Sequence, residues 1–254
     1  SLIISVSDVH LGYENSNKDD FDRFITSELA KLGSSDHLVL LGDVMEFWRR
    51  NNVSVALENQ DTLNRLQALN TNVYYVVGNH DYLVLDWANR YAPFYPFKVS
   101  KFLRLSDGGR EFYFMHGYEL EVLSNLEPMT IEAYEKASEW LCQMTEAFFG
   151  SILSRIWGTV QVTFKRGDKR LRMVRAIVKM PHQREDMDKI DQLAVSDVKR
   201  LFLGIKKDES LVFGHTHRPF LKANVANTGS WVSDADECNT FLVIRDGVMD
   251  LKKF

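Results

Sequence analysis

Leu2-Ile3-Ile4-Ser5-Val6-Ser7-Asp8-Val9-His10 opens the chain as a short apolar run that is followed at once by a carboxylate and an imidazole. Four more apolar runs each end in a polar cluster: Gly42-Asp43, Gly78-Asn79-His80-Asp81, His116-Gly117 and Gly214-His215-Thr216-His217. These clusters hold five of the seven histidines of the chain. The concentration of histidine predicts one site that is assembled from the ends of several strands.

The apolar runs predict strands buried on both faces, because they are short, nearly continuous and rich in β-branched or aromatic residues. The predicted strands are Leu2–Val6, Leu38–Leu41, Val73–Val77, Phe112–Met115, Leu211–Phe213, Val225–Thr228, Phe241–Arg245 and Val248–Lys252. Helical spacing of apolar residues predicts helices at 19–32 and 57–69. After Ser210 the pattern is all strand, with a hairpin at Asp246-Gly247. We therefore expect an α/β fold with a mixed sheet.

Composition and length set the class of protein. With 254 residues and 45% hydrophobic content, the chain can bury a large core, and we expect one domain over 1–254. The two cysteines, Cys142 and Cys238, do not form a disulfide framework, which favours a reducing compartment. No apolar stretch is long enough to span a bilayer, and the first residues do not resemble a signal peptide. We expect a soluble, cytoplasmic protein.

The residue types of the five clusters predict a metal site. In open α/β sheets ligands bind beyond the carboxyl ends of the strands, where each cluster lies. Imidazoles mixed with carboxylates and an amide oxygen suit Mn, Fe, Zn or Co. A bridging carboxylate, for which Asp43 is the natural candidate, can hold two such ions roughly 3.5 to 4 Å apart and generate a hydroxide that attacks phosphorus. Each cluster could also be an ordinary turn or helix cap, but that explanation would be needed five times.

In this order and spacing the clusters resemble the calcineurin-like metallophosphoesterase family. The resemblance implies a four-layer sandwich of two mixed β-sheets flanked by helices, with a dinuclear centre of Mn or alternatively Fe, Zn, Co or Mg. It assigns to the first metal Asp8, His10, Asp43 and His217, and to the second Asp43, Asn79, His116 and His215. It also implies that His80 contacts the phosphoryl group and protonates the leaving oxygen, with Asp81 orienting the His80 ring.

Three further runs are similar to the UDP-2,3-diacylglucosamine pyrophosphatase branch of that family: G-D-x-x-E-x-W at 42–48, G-H-T-H-R-P at 214–219 and N-T-G-S-W at 227–231. Typical members have Arg where this chain has His80. The resemblance therefore implies hydrolysis of a phosphodiester or pyrophosphate, nucleotide-linked or lipid-like, by a hydroxide that bridges the metals. The alternatives are a nuclease or phosphomonoesterase of the same family, and a non-catalytic scaffold on this fold.

A helical cap is predicted as an insertion at about 119–204, with helices at 128–149 and 188–203. Between residues 151 and 180 the chain has eight basic residues and one acidic residue. The candidate substrate-binding residues are Trp48, Arg166, Arg170, Arg172 and Arg218. A basic and apolar cap suits an anionic amphiphile or peripheral contact with an anionic membrane, and a solvated basic face explains it equally well. Nucleic acid is a third partner, which we do not favour, and the oligomeric state is left open.

Overall fold

A computed structural model describes residues 1–90, 97–124, 130–143 and 184–254. Its strands are β1 (Leu2–Val6), β2 (His37–Leu41), β3 (Asn72–Val76), β4 (Lys98–Ser100), β5 (Phe102–Asp107), β6 (Arg110–Met115), β7 (Ser210–Phe213), β8 (Phe220–Lys222), β9 (Val225–Asn227), β10 (Thr240–Arg245) and β11 (Val248–Lys253). Its α-helices are α1 (Lys18–Ser27), α2 (Asn52–Glu58), α3 (Gln60–Gln67), α4 (Leu83–Arg90), α5 (Tyr118–Ser124), α6 (Ile131–Gln143), α7 (Arg184–Val195) and α8 (Val198–Leu203), and a short 3-10 helix spans Leu29–Lys31.

The strands form two mixed sheets. The first has the order β11-β10-β1-β2-β3-β4, in which β1 to β4 are parallel and β10 is antiparallel to β1. The second has the order β5-β6-β7-β9-β8, in which β6, β7 and β9 are parallel. The carboxyl ends of β1, β2 and β3 carry three of the polar clusters, and those of β6 and β7 carry the other two. The predicted α/β fold with two mixed sheets flanked by helices is confirmed.

Three apolar layers hold this arrangement together. Side chains of both sheets, Val39 and Phe114 among them, fill the space between the sheets. Helix α1 packs Phe24 on the outer face of the first sheet, and α7 packs Ile190 on the outer face of the second. Replacing a buried Phe by Ala in such a layer costs roughly 3–5 kcal/mol. The layers therefore fix the two sheets relative to each other, and with them the strand ends.

Several sequence expectations need correction. The single helix expected at 57–69 is two helices, α2 and α3, because the side chain of Asn59 donates to the carbonyl of Val55 and competes with continuous helix. The helix expected at 188–203 is α7 and α8, with a break at Ser196, whose hydroxyl bonds the carbonyl of Leu193. Strands β4, β5 and β8 and helices α4 and α5 were not predicted. Of the helix expected at 128–149, α6 is the described part.

The hairpin between β10 and β11 forms at Asp246-Gly247, where both residues have left-handed φ, 53° and 74°. Among the described helices, none combines the length and the apolar character that a membrane span requires.

Candidate metal centre

The loops that carry the predicted ligands have an unusual backbone. Five of the seven predicted ligands have left-handed φ angles: Asp8 (53°), His10 (50°), Asp43 (51°), His215 (69°) and His217 (56°). For residues other than glycine this conformation is uncommon, and it costs roughly 1–2 kcal/mol at each position. Such strain persists where the surroundings determine the conformation, and it clusters at functional sites. The backbone therefore marks these loops as a site.

The first group of side chains is built on Asp8, His10 and His217, whose ligand atoms all lie within 4.8 Å of one another. His10 Nε2 is 3.2 Å from His217 Nε2, and the latter is 3.2 Å from Asp8 Oδ1. Asp43 Oδ2 is 3.9 Å from His10 Nε2. These are the four residues that the family resemblance assigned to the first metal.

The second group consists of Asp43, His116 and His215. His116 Nε2 lies 3.1 Å from Asp43 Oδ2, so that Asp43 adjoins both groups as a bridging carboxylate would. Asn79 is fully buried on the loop that follows β3. The structure thus brings the predicted residues together in the predicted division, and their roles as ligands are part of the proposal below.

Unpaired buried atoms test whether these residues fit a metal. Within the described part of the chain, both amide atoms of Asn79 are buried and have no hydrogen-bond partner. Asp8 Oδ1 and His116 Nε2 are also buried and make no hydrogen bond of good geometry, although each lies near an atom of another predicted ligand. Leaving a buried polar atom unpaired typically costs about 1–3 kcal/mol. A nitrogen and two oxygens of this kind are donors that divalent transition metals accept. The donor set therefore fits the group that the family resemblance implies.

Three of the predicted ligands are histidines in which one ring nitrogen contacts an oxygen acceptor, so that the other nitrogen is left for a metal. His10 Nδ1 is 2.9 Å from Glu46 Oε2, His116 Nδ1 is 2.8 Å from the carbonyl of Leu41, and His215 Nε2 is 2.8 Å from Glu121 Oε2. Such a contact fixes the tautomer and the orientation of a histidine ligand. Glu46 and Glu121 were not among the predicted site residues.

Charge is concentrated in the two groups. Burial opposes ionisation of Asp8 and Asp43, but neighbouring histidines outweigh it and hold the pKa of each carboxyl below its ordinary value. Burial likewise opposes protonation of His10 and His116, and the adjacent carboxylates still raise the pKa of each imidazole to about 10. A site that stabilises charge so strongly is suited to bind a cation.

Two glycines allow the loops to approach each other. Gly42 has a φ of 83°, and a Cβ at this position would overlap the ring of His116. A Cβ on Gly78 would overlap the carboxylate and backbone of Asp43. The glycines that precede Asp43 and Asn79 are therefore required for close packing of the loops after β2, β3 and β6.

His80 lies beside the two groups, in the same pocket. Its Nδ1 is 2.8 Å from Glu46 Oε1, and its ring stacks on Trp48 with centroids 4.2 Å apart. The carboxylate of Asp81 instead accepts hydrogen bonds from the backbone of Val44 and Gly78 and from the hydroxyl of Tyr75. Glu46, not Asp81, contacts the His80 ring, because the Asp81 carboxylate is occupied by Tyr75 and by the backbone of the loops after β2 and β3. Burial and the charge of Asp43 raise the pKa of Asp81 to about 6.

The other predicted substrate contacts have different outcomes. Arg218 lines the pocket, and its Nη1 lies 2.5 Å from Asp188 Oδ1. Trp48 adjoins the pocket through its stack on His80. Arg166, Arg170 and Arg172, with the rest of the basic block, lie outside the described residues. In Asn227–Trp231 the Asn227 side chain donates to Thr216 Oγ1 and to the Gly214 carbonyl, so this segment supports the loop that follows β7.

Sequence reasoning missed several residues around the pocket. The pocket has a volume of about 360 Å³ and is also lined by Tyr13, Arg49, Met187, Thr216 and Asp234. Glu46 had a signal, since it is the glutamate of the G-D-x-x-E-x-W run, although the run was used only to compare branches. Glu121 had none, because nothing in its local sequence places it against His215.

Comparisons with known proteins agree with this geometry. The family model described as calcineurin-like phosphoesterase matches residues 2–219. A search of curated proteins gives no significant match.

Three solved structures illustrate the likeness in fold. A dimetal phosphatase from Danio rerio is 12% identical, with coverage of 100% of this chain and 98% of that chain and a TM-score of 0.44. The cold-active protein-tyrosine phosphatase of a psychrophilic Shewanella species is 16% identical, with coverage of 98% and 80% and a TM-score of 0.39. A protein of unknown function, AQ665 from Aquifex aeolicus, is 21% identical over 54% of this chain and 69% of that chain, with a TM-score of 0.34. At these TM-scores the likenesses carry no argument about activity.

The family match covers most of the chain, and the five strand ends deliver a donor set that fits divalent metals. This chain belongs to the calcineurin-like phosphoesterase family, whose members hydrolyse phosphoesters with the help of metal ions.

Proposed function

We propose that this protein hydrolyses a phosphodiester or pyrophosphate bond with two divalent metal ions and with His80 as general acid. The observation that carries the proposal is the position of His80. Its ring shares a pocket with the predicted ligands and lies outside the groups built on Asp8 and Asp43. It also forms a third close group of possible metal ligands with His10 and Glu46, but there the Glu46 carboxylate already contacts Nδ1 of both histidines. A histidine that adjoins a metal site without completing it is free to exchange a proton with the substrate.

The contacts of His80 support this role. Glu46 accepts a hydrogen bond from Nδ1, which leaves Nε2 as the nitrogen that can reach a substrate. Trp48 covers one face of the ring and limits its rotation. The backbone N–H of His80 donates to Asp43 Oδ1 at 2.8 Å, which ties the position of the acid to the predicted bridge. When the phosphorus–oxygen bond breaks, a proton on Nε2 can pass to the leaving oxygen.

The predicted ligands have a separate task. Two divalent ions bound there would supply positive charge to the phosphoryl oxygens and activate the attacking water, and manganese is the first ion to test. The G-D-x-x-E-x-W run at 42–48, similar to the pyrophosphatase branch, supports a diester or pyrophosphate over a monoester.

The test compares His80→Ala with wild type, both loaded with Mn²⁺. We expect the variant to keep its metal and to lose roughly 100-fold in turnover on an alkyl phosphodiester, with a smaller loss on bis-para-nitrophenyl phosphate, whose leaving group departs without a proton. His37→Ala is the matched control, because His37 lies on β2 and contacts Tyr74 away from the pocket. Equal losses on both esters would remove the general-acid role, and loss of metal would make His80 a ligand.

A substrate panel decides between the alternatives. Para-nitrophenyl phosphate, its bis-ester, UDP-glucose and single-stranded DNA represent a monoester, a diester, a pyrophosphate and a nuclease substrate. Preference for the monoester or for DNA would replace the proposal by the corresponding alternative. No hydrolysis of any of them with Mn²⁺ would favour a non-catalytic scaffold.

A further inference from the structure

Arg49 and Tyr13 lie between two hollows of the surface. The first hollow is the pocket of about 360 Å³ that contains His80 and the predicted ligands. The second, of about 610 Å³, adjoins it and is lined by Gly12, Ser16 and Asn59 among others. Both hollows include Tyr13 and Arg49. A ligand that extends from one hollow into the other therefore passes these two side chains.

Two contacts hold Arg49 in position, and a third holds the Tyr13 ring on which it lies. Its guanidinium lies over the ring of Tyr13, with Cζ 4.0 Å from the ring centroid. Its backbone N–H donates to Glu46 Oε1 at 3.2 Å, and the hydroxyl of Tyr13 donates to Asp234 Oδ2 at 2.7 Å. Arg49 and His80 thus both contact the carboxylate of Glu46, which links their positions. Holding a side chain in place before binding lowers the entropy that binding must overcome.

Among the residues that the structure describes, Arg49 also keeps binding capacity that the neighbouring lysine and arginine side chains lack. The other basic residues that line the two hollows each have a carboxylate within about 3 Å: Lys18 with Asp22 at 3.0 Å, Arg50 with Glu58 at 2.6 Å and Arg218 with Asp188 at 2.5 Å. The carboxylate recorded near the Arg49 guanidinium, Glu46 Oε2, is 3.8 Å away and already contacts His10. With its side chain 45% exposed, Arg49 can offer N–H groups to a ligand.

We propose that Arg49, held over Tyr13, binds a second anionic group of the substrate, a phosphate next to the one that is cleaved. The inference rests on the proposed function and narrows it to a diphosphate ester. A guanidinium presents paired N–H donors that match two phosphate oxygens, which a single ammonium group does not. The second hollow is lined by polar side chains such as Glu14, Ser16 and Asn59, so the group attached to the second phosphate is polar, as a sugar or nucleoside is.

Direct binding of ADP and AMP, measured by calorimetry on the Mn²⁺-loaded protein, tests the inference without requiring turnover. We expect wild type to bind ADP at least about tenfold more tightly than AMP, because ADP has the second phosphate. In Arg49→Ala the affinity for ADP should fall about tenfold more than that for AMP. Arg49→Lys should lie between, since it keeps the charge without the paired donors. Tyr13→Ala should reproduce part of the loss by removing the support of Arg49.

The control is Arg23→Ala, which removes the same charge from an exposed arginine that pairs with Asp20 and lines neither hollow. It should leave both affinities unchanged. An unchanged ratio in Arg49→Ala, with folding verified by circular dichroism, would overturn the inference, and so would a wild type that binds AMP as tightly as ADP. Hydrolysis of bis-para-nitrophenyl phosphate is measured on the same preparation. Hydrolysis without a preference for ADP refutes this site alone, whereas a preference for ADP without any hydrolysis refutes the proposed function.

Discussion

Two walls of the pocket each contain a carboxylate, and the pKa values of the two carboxylates are shifted in opposite directions. On one wall Glu46 lies between His10 and His80, and although its burial opposes charge, the two imidazoles hold its pKa well below the ordinary value. On the other wall burial raises the pKa of Asp191 to about 6, since a hydrogen bond from Thr216 and the charge of Arg218 at 3.5 Å only partly offset it. Direct contact with two imidazoles thus separates a carboxylate whose ionisation is favoured from one whose ionisation is opposed.

This difference assigns different roles to the walls. The Glu46 wall contains the proposed acid and the proposed phosphate site, and the charge of Glu46 is compensated by the histidines that it contacts. The Asp191 wall connects α7 to the loop after β7 through Thr216 and Arg218. We expect changes on the first wall to reduce turnover, and changes on the second to affect stability. Asp43 adjoins both groups of predicted ligands and lines the same pocket.

The largest effect is expected for Asp43. Each chain should bind two divalent ions, and Asp43→Ala should lose both ions and the activity, because the carboxylate that joins the two groups is removed. Metal content of the purified protein and turnover of bis-para-nitrophenyl phosphate are the measurements. Asp43→Asn, which can still accept the hydrogen bond from the His80 backbone, separates loss of metal from loss of structure.

Asp250→Ala is the matched control, since Asp250 is an exposed carboxylate on β11 of the same sheet and should be neutral. A wild type that binds one ion per chain and has full activity would contradict the dinuclear interpretation.

A smaller effect is expected for Glu46→Gln. Glutamine keeps one acceptor but cannot serve both His10 and His80, so the ring of the acid is less well oriented. We expect turnover to fall roughly 10- to 100-fold, as for other residues that orient site histidines, with at least part of the metal retained. The loss should be larger on alkyl esters than on para-nitrophenyl esters, as for His80→Ala.

A double-mutant cycle sharpens this prediction. If Glu46 acts through His80, Glu46→Gln should cost little in a background that already has His80→Ala. Glu28→Gln is the control, since Glu28 is paired with Lys31 on the surface. Additive losses would mean that Glu46 acts through His10 and the metals instead, and the first wall would then support metal binding more than proton transfer.

Most of the strands, and the polar residues that meet at their ends, could be predicted from the sequence, because both depend on local patterns; the roles of those residues as ligands stay a prediction that the family resemblance implies. Continuous apolar runs mark buried strands, and a ligand that follows such a strand directly, as Asp8 follows β1, moves with it. Two mixed sheets were expected and were found. Edge strands such as β4 and β8 were missed because they are three residues long and lack a continuous apolar run.

Contacts between distant segments could not be predicted. Glu121 meets His215 although 94 positions separate them, and no local pattern records this. Asp81 was expected to orient His80 because the two are adjacent in sequence, yet Glu46, 34 positions away, makes the contact. In a loop, neighbouring side chains point in different directions, so adjacency is weak evidence of contact. Arg49 was not predicted for the same reason, because its place beside the pocket depends on contacts with Tyr13 and Glu46.

The smallest effect is expected for Asp191→Asn and concerns stability. The folded pKa of about 6 is above the value of about 3.9 expected for an unfolded Asp, so the folded state binds more protons between pH 4 and 6. The contribution of Asp191 to stability should therefore decrease as pH rises through this window, and the substitution removes that contribution's pH dependence because asparagine does not ionise. The shift corresponds to at most about 3 kcal/mol, and discounting for partial exposure leaves about 1 kcal/mol.

We therefore expect the free energy of unfolding of Asp191→Asn to exceed that of wild type by about 1 kcal/mol at pH 8, and the two to converge near pH 4. Urea unfolding at both pH values, with the same metal content, measures the difference. Asp250→Asn, at an exposed site, should show no such change. The introduced amide can still accept the Thr216 hydrogen bond, so lost packing does not explain a gain. If the free energies of unfolding differ equally at both pH values, ionisation of Asp191 is not the cause. The two walls would then differ in geometry but not in how strongly they oppose the ionisation of a carboxylate.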